Sequence, residues 1–208
     1  AVRMVKSSPH LKRSISDRRG ELFVRGKADV FKPLGRDSKS LDGLNPHGAI
    51  FDEVHAMPDA GIIDVIRSGT GARRNWLMWM ITTAGINLRG PGFDLHGYAE
   101  KVLDGVFEDD EFLAIIYTVD DPEKWQDPTE WQKANPNYGV SVFEQFLLDQ
   151  LAKAKRSASK QSAFRTKHLN DWVGAKLAWM NMLAWQRQKR RFEVSDFAGC
   201  PCWVGVDL

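Results

Sequence analysis

The sequence lacks long apolar runs and contains very little cysteine. No stretch of its 208 residues approaches the roughly 18 consecutive apolar residues of a membrane span, and no signal peptide opens it. Its two cysteines, Cys200 and Cys202, lie too close together for an ordinary structural disulfide, and no further ligands at zinc-finger spacing lie nearby. We therefore expect reduced thiols in a cytoplasmic protein without a membrane segment.

An excess of charge of one sign is also lacking. The chain has 29 basic and 27 acidic residues and a net charge of +2, so its overall charge gives only a weak argument for nucleic-acid binding. Such an argument depends on two basic clusters, at 153–160 and 187–191. Each cluster fits contact with DNA phosphates, and each fits equally well a solvated helix face.

Three apolar runs alternate with two predicted helices in the first part of the chain. The runs are GAIF at 48–51, NWLMWMI at 75–81 and FLAIIYTVD at 112–120, and the helices are predicted over about 59–68 and 93–104. Apolar runs without polar alternation are typical of parallel strands that are covered on both faces. The order strand, helix, strand, helix, strand therefore predicts an α/β fold with a parallel sheet.

The segments that flank this core have a different character. A helix interrupted by SSP at 7–9 is predicted at the start of the chain, followed by short strands at 21–24 and 29–34. After Asp121 comes an ordered connector that is rich in proline, asparagine and tryptophan. Ser141 with Glu144, the spacing of a capping box, predicts the start of a helix. A second helix is predicted over 159–170, and tryptophans are expected to pin these helices onto the core: Trp125, Trp131, Trp172, Trp179 and Trp185.

Two adjacent acids, Asp52 and Glu53, follow the first apolar run directly. In nucleotide-hydrolysing α/β folds, the first acid of such a pair holds the magnesium that bridges the nucleotide phosphates. The second polarises the attacking water as a general base. The side chains must then lie at the carboxyl end of the strand, where open sheets bind their ligands. Taken alone, a pair of acids at a strand end also fits a structural turn or a helix cap.

Two hydroxyl residues, Thr82 and Thr83, end the next apolar run. Hydroxyls at that position can hydrogen-bond to the acidic pair or to a γ-phosphate, and thereby report the nucleotide state. The acid strand and the Thr-Thr strand together favour a nucleotide site. A further acid, Asp207, emerges from the last apolar run, as does the central metal ligand of two-metal nucleases. Taken alone, Asp207 is better explained as the terminal acid of an ordinary buried strand.

A set of five segments, taken in order, resembles the large terminase subunit of tailed phages and prophages. The segments are SLDGLNPHGAIFDEVHAM, ITTAG, W-x-x-ANPNYG-x-S, FRTKHLNDW and WVGVDL, and the resemblance spans nearly the whole chain from about residue 38. That family joins an ATPase that translocates DNA into a capsid to an RNase H-like nuclease that cuts concatemeric DNA. The joint pattern is much more specific than any single motif.

The resemblance implies a role for each matching residue. Asp52 is expected to associate with magnesium and bind ATP together with Glu53, and Glu53 to be the catalytic glutamate. Thr82 and Thr83 are expected to couple hydrolysis to movement. Asp207 is expected to be the first metal ligand of the nuclease, which uses Mg²⁺ or Mn²⁺.

The resemblance also implies a domain organisation and partners. Residues 1–120 are expected to form the later part of a P-loop-type ATPase core, residues 121–198 a helical subdomain and linker, and residues 199–208 the first strand of the nuclease domain. The implied partners are double-stranded DNA, the portal protein and the small terminase subunit. A homo-oligomeric ring on the portal, at the procapsid in the bacterial cytoplasm, is the implied setting.

The sequence departs from the family pattern in two ways. It contains no GxxxxGK[ST] loop to hold the β- and γ-phosphates, which should therefore lie upstream of Ala1, and it contains only one of the nuclease acids. The 208-residue chain by itself is therefore expected neither to hydrolyse ATP nor to cut DNA. The arginine finger is also unidentified, since Asp42-Gly43 stands where some relatives have Arg-Gly. Three arginines are substitutes for it or structural residues: Arg36, Arg73 and Arg74.

Two other interpretations remain open at this stage. The string DEVH, which ends in His55, also fits a DExH helicase fragment, although such a helicase needs a second motor lobe with an arginine-rich motif. In a terminase, His55 is expected to pack or hydrogen-bond beside the site. The chain also fits a degenerate prophage remnant or scaffold that keeps the fold without catalysis.

Overall fold

A computed structural model describes residues 1–35, 41, 43–174, 193–199 and 201. These residues divide into two compact units. The first unit comprises Ala1–Phe51 and Asp59–Met80, and the second comprises Asp52–Pro58 and the described residues from Ile81 onward. Several features singled out in the sequence lie outside the described residues: Arg36, Asp42, Trp179, Trp185, the cluster 187–191, Cys200, Cys202 and the last apolar run with Asp207.

The first unit begins with two short helices and an antiparallel sheet. The predicted break at SSP is present, because the Ser8 side chain accepts the Leu11 N–H and caps the second helix. The sheet has three antiparallel strands, each paired with the next along the chain. The strand expected at 29–34 is shorter than predicted and comprises only Val30–Phe31. The elements are α1 Val2–Ser7, α2 Pro9–Ser14, β1 Ile15–Arg18, β2 Glu21–Val24 and β3 Val30–Phe31.

The predicted parallel pair of strands is present, but the expectation that both faces are covered is wrong for the described structure, where Ile50 is 62% and Trp79 is 54% exposed. Strand β4 (Gly48–Asp52) pairs with β5 (Leu77–Ile81), and helix α3 (Gly61–Gly69) connects them. At their starts, the Leu77 N–H donates to the His47 carbonyl oxygen at 3.0 Å. Just beyond their ends, the backbone after β4 is again hydrogen-bonded to the segment after β5. The two strands therefore run in the same direction, and their carboxyl ends meet.

The prediction of a third strand at 112–120 is wrong. This segment is extended but has no strand assignment, and its side chains alternate between exposed and partly buried. Leu113 is 84% exposed whereas Val119 is 4% exposed. A strand needs the backbone of a neighbour to complete its hydrogen bonds, and within the described residues no strand pairs with this segment. Side chains hold it instead, since the Thr118 hydroxyl donates to the carbonyl oxygens of Leu169 and Asn170.

The helical part of the second unit has its own core. Trp131 and Leu147 are fully buried there, and the Trp131 Nε1–H donates to the Trp125 carbonyl oxygen at 3.0 Å. Both tryptophans thus pack inside the helical cluster, where each lies edge-on to Phe164. In the part of the chain that the structure describes, no helix has the length and hydropathy of a membrane span. The helices are α4 Pro91–Leu103, α5 Pro128–Ala134, α6 Glu144–Ala154 and α7 Ala158–His168.

Two helix starts differ from the prediction. The capping box predicted at Ser141 and Glu144 is not formed. Helix α6 begins at Glu144, so its N-cap residue is Phe143, whose side chain makes no capping hydrogen bond. Helix α5 lies inside the segment that was expected to be a connector. Its signal is the Asp127-Pro128 pair, in which the Asp127 carboxylate accepts the Thr129 N–H at 2.9 Å. The Thr129 hydroxyl donates to the same carboxylate, and the two hydrogen bonds together lower the pKa of the Asp127 carboxyl.

Candidate functional site

The two adjacent acids lie at a sharp turn where β4 ends. Asp52 is the last residue of the strand, and Glu53 has left-handed backbone angles of φ 55° and ψ 48°. A short 3₁₀ helix, Val54–Ala56, follows, and its Val54 side chain is fully buried. A left-handed conformation costs a residue with a side chain roughly 1–2 kcal/mol, and it persists only where the surrounding structure enforces it. The buried Val54 provides that constraint and turns the Glu53 carboxylate outward, where it is 59% exposed.

His55 connects this turn to the threonines that follow β5. Its backbone N–H donates to Thr82 Oγ1 at 2.9 Å, and its Nδ1 lies 3.0 Å from the same oxygen. The same Nδ1 lies 3.1 Å from the Glu53 carboxylate and 3.5 Å from Thr83 Oγ1. One imidazole nitrogen thus lies within hydrogen-bond distance of both an acid and a threonine of the predicted site.

The hydrogen-bonding groups around His55 favour one of its two neutral tautomers. Thr82 has one hydroxyl proton, which it donates to the Thr83 carbonyl oxygen at 2.8 Å. Its oxygen therefore offers only lone pairs to His55, and an ionised Glu53 carboxylate is likewise only an acceptor. This arrangement favours the tautomer that carries a proton on Nδ1, facing Thr82 Oγ1 and the carboxylate. A proton on Nε2 alone would leave lone pairs facing each other at about 3 Å.

Two glycines allow the backbone to approach His55 closely. A Cβ atom at Gly92, in the first turn of α4, would lie 2.9 Å from the His55 Cα atom. A Cβ atom at Gly85 would lie 3.1 Å from the His55 Cβ atom and 3.2 Å from the Trp172 ring. His55 is thus enclosed by the backbone on two sides, and its side chain is only 21% exposed.

Trp172 links the segment after α7 to the same place. Its ring lies edge-on to Phe93 with centroids 5.3 Å apart, and 5.9 Å from the His96 ring. The backbone N–H of the next residue, Val173, donates to the Gly85 carbonyl oxygen at 3.4 Å. Trp172 was singled out in the sequence, whereas the role of Gly92 was missed. A second glycine in a helix's first turn, as in GPG at 90–92, is the signal for such a close approach.

The structure brings four residues named from the sequence into one neighbourhood: Asp52, Glu53, Thr82 and Thr83. Thr82 and Thr83 contact Glu53 through His55, whereas Asp52 makes no such contact in the part of the chain that the structure describes. Within the described residues, no hydrogen bond joins either hydroxyl directly to a carboxylate. In the same part of the chain, no cluster of three or more metal-ligating side chains is present.

Arg73, one of the candidate arginine fingers, is held elsewhere. Its Nε donates to Asn45 Oδ1 at 2.8 Å, and its guanidinium also bonds to the Asn45 carbonyl oxygen. These bonds fix the loop before β4 inside the first unit. A structural role accounts for Arg73 without a nucleotide.

Two family profiles together match nearly the whole chain. The profile described as terminase large subunit, ATPase domain, matches residues 2–101. The profile described as terminase large subunit, endonuclease domain, matches residues 106–208.

Individual relatives agree with these profiles. Protein YmfN of Escherichia coli strain K12 is 43% identical over 168 residues, which cover 80% of this chain and 37% of YmfN. The terminase large subunit of Enterobacteria phage HK97 is 27% identical over 191 residues, which cover 89% of this chain and 37% of that protein. The chain therefore spans well under half the length of either relative.

A solved structure extends the agreement to three dimensions. The crystal structure of the HK97 bacteriophage large terminase superimposes on 83% of this chain with a TM-score of 0.71 and 26% identity, and the match covers 36% of that chain. None of these matches supports the helicase interpretation of the DEVH string. The chain belongs to the terminase large subunit family.

Proposed function

We propose that this chain is the central portion of an ATP-driven DNA-packaging motor and endonuclease, and that Asp52 and Glu53 are its ATP-hydrolysing acids. The observation that carries the proposal is the turn at the end of β4, where Glu53 is joined to Thr82 through His55. An acidic turn bonded to the end of the neighbouring parallel strand is the arrangement expected where hydrolysis is coupled to a movement.

The acids at this turn fit a magnesium–nucleotide complex. Mg²⁺ usually keeps several waters and is held by one or two carboxylates together with substrate phosphates. Asp52 is exposed at the strand end, and its carboxylate has no partner among the described residues. Asp52 would therefore hold the ion, which when bound neutralises charge on the β- and γ-phosphates. The chemistry of the donor set supports the proposal.

The neighbouring residues then have separate roles in hydrolysis and in coupling. Glu53 accepts a proton from the attacking water as general base. Thr82 and Thr83 respond to the nucleotide state because both hydroxyls contact His55, which in turn contacts this carboxylate. The GxxxxGK[ST] loop, which the sequence lacks, belongs to the remainder of the longer protein. The 208-residue chain alone therefore has no measurable ATP turnover.

The domain organisation follows the same proposal. Residues 1–120 form the later part of the ATPase core, residues 121–198 the helical subdomain and linker, and residues 199–208 the start of the nuclease. Asp207, outside the described residues, is the first ligand of a nuclease Mg²⁺ or Mn²⁺ site. Double-stranded DNA is the substrate, with the portal protein and the small terminase subunit as partners in a ring on the procapsid.

The test uses the full-length protein that contains this chain. We expect Glu53→Gln and Asp52→Asn each to lower DNA-stimulated ATP turnover by about 100-fold or more, since general-base catalysis contributes about 10²–10⁴-fold. Asp207→Asn should abolish DNA cleavage and leave ATP turnover unchanged. Glu108→Gln, at another exposed glutamate, is the matched control.

Two results would count against the proposal. ATP turnover that survives in both acid variants would remove Asp52 and Glu53 from the chemistry. A full-length wild-type protein with neither ATPase nor nuclease activity would favour the degenerate remnant instead.

A further inference from the structure

We propose that His55 is a positioning residue: its Nδ1–H holds the Glu53 carboxylate in place, and Thr82 holds the His55 ring. A movement of Thr82 and Thr83 would then be transmitted to the general base, Glu53, through the His55 ring. This inference rests on the proposed function, because it assigns a role to His55 within the same site.

The Glu53 side chain needs such a partner. It is 59% exposed, and a free glutamate loses rotamer entropy when it is held in one conformation. Within the described residues, His55 Nδ1 is the partner of its carboxylate. The left-handed backbone at Glu53 fixes where the side chain starts but leaves its torsions free.

His55 is itself held from several directions. Thr82 Oγ1 accepts from both its backbone N–H and its ring. The close backbone at Gly92 and the packing of Gly85 against Trp172 limit the room for other rotamers. A shift of Thr82 would therefore displace the His55 ring and remove the hydrogen bond that Nδ1–H donates to the Glu53 carboxylate. Such restraint suits a catalytic group, because a misplacement of about an ångström can lower the rate of reaction strongly.

A purely structural histidine is the competing explanation, and the kinetic constants separate the two. A positioning role predicts a lower kcat for ATP with an unchanged KM. A structural role predicts a lower melting temperature and a general loss of binding. We expect His55→Ala in the full-length protein to lower kcat by about 10–100-fold, the range for loss of a positioning contact, with KM changed less than twofold.

Two further variants sharpen this test. His55→Asn should recover most of kcat, because an asparagine amide N–H can take the place of Nδ1–H. Adding Thr82→Val to His55→Ala should lower kcat no further, since both changes break the same connection. His10→Ala, at an exposed histidine of the first unit, is the control and should leave kcat unchanged.

A second readout does not depend on activity. In ¹⁵N spectra of this 208-residue chain, the His55 signals, identified by their loss in His55→Ala, should show the Nδ1–H tautomer. Thr82→Val or Glu53→Gln should shift the Nδ1 signal. An Nε2–H tautomer in the wild type would overturn the inference.

The outcomes distinguish this inference from the proposed function. If Glu53→Gln abolishes turnover but His55→Ala leaves kcat intact, only the role of His55 is wrong. If Glu53→Gln leaves turnover intact, the proposed function itself fails.

Discussion

Arg165 and Asp171 form a buried ion pair in the second unit. The Arg165 Nε lies 2.5 Å from Asp171 Oδ2, and the two side chains are only 10% and 8% exposed. Burial raises the pKa of the Asp171 carboxyl, although the guanidinium beside it acts in the opposite direction. The pair closes the turn after α7, which places Asn170 against Tyr117 and Trp172 against Gly85. The connection from the helices to the candidate site therefore depends on this pair.

Removal of Arg165 should destabilise the protein strongly. Arg165→Ala leaves a buried carboxylate without its partner, and we expect a loss of about 3–5 kcal/mol in the free energy of unfolding near pH 8. The pKa of Asp171, already raised by burial, should rise further in this variant. A folded-state pKa above the unfolded value means that stability is lost as the pH rises through it, so the loss should be smaller near pH 5.

Urea denaturation at the two pH values checks this. Asp17→Asn removes the exposed pair with Lys6 and should change the stability by less than about 1 kcal/mol. A loss in Arg165→Ala that is equally large at both pH values would contradict the explanation.

Two glycines of α4 should respond to alanine in opposite ways. Gly97→Ala adds a Cβ with nothing within 4 Å, so it should stabilise the helix by about 0.5–1 kcal/mol. Gly92→Ala adds a Cβ at 2.9 Å from the His55 Cα atom, so it should lower the melting temperature and disturb the His55 ring. Thermal unfolding of the two variants tests the close approach. A stabilising Gly92→Ala would show that the contact is not there.

The left-handed turn at Glu53 should cost stability. Glu53→Gly and Glu53→Ala both remove the carboxylate, but only glycine relieves the backbone at φ 55°. We therefore expect Glu53→Gly to be the more stable variant by about 1 kcal/mol. Glu100, in the interior of α4, gives the control, because there glycine should be the less stable variant by about 1 kcal/mol. Chemical denaturation of the four proteins measures both differences.

His168 should make the protein less stable in mild acid. Burial lowers the pKa of its imidazole, with a smaller contribution from Lys167, and its ring packs between Phe146 and Phe164. A depressed folded-state pKa means that the stabilising neutral form is fully present above the unfolded pKa. That stability is lost as the pH falls through the folded value.

Melting temperatures between pH 7.5 and 5 test this. The wild-type protein should lose more stability on acidification than His168→Gln, even though the variant starts lower because ring packing is lost. His10→Gln, at an exposed position, should follow the wild type. Parallel pH profiles for the wild type and His168→Gln would rule out the effect.

Several local features of this protein follow from residues that are neighbours along the chain. The apolar run 48–51 predicts a strand, and in the structure this strand ends at Asp52. The order strand, helix, strand in this region indicates a parallel pair, because only a crossover connection returns the chain in the same direction. Asp127-Pro128 marks a helix start that could have been recognised. These features depend on neighbours along the chain.

Which distant residues meet depends instead on the folded arrangement of the chain. The segment 112–120 has the composition of a strand but no neighbour to pair with among the described residues, so composition alone misled the prediction. The tautomer of His55 depends on a hydroxyl 27 positions away, whose single proton is already used. Gly92 matters because a second backbone passes beside it. Hydrogen-bond saturation and steric exclusion act between groups close in space, and the linear order of residues does not specify those distances.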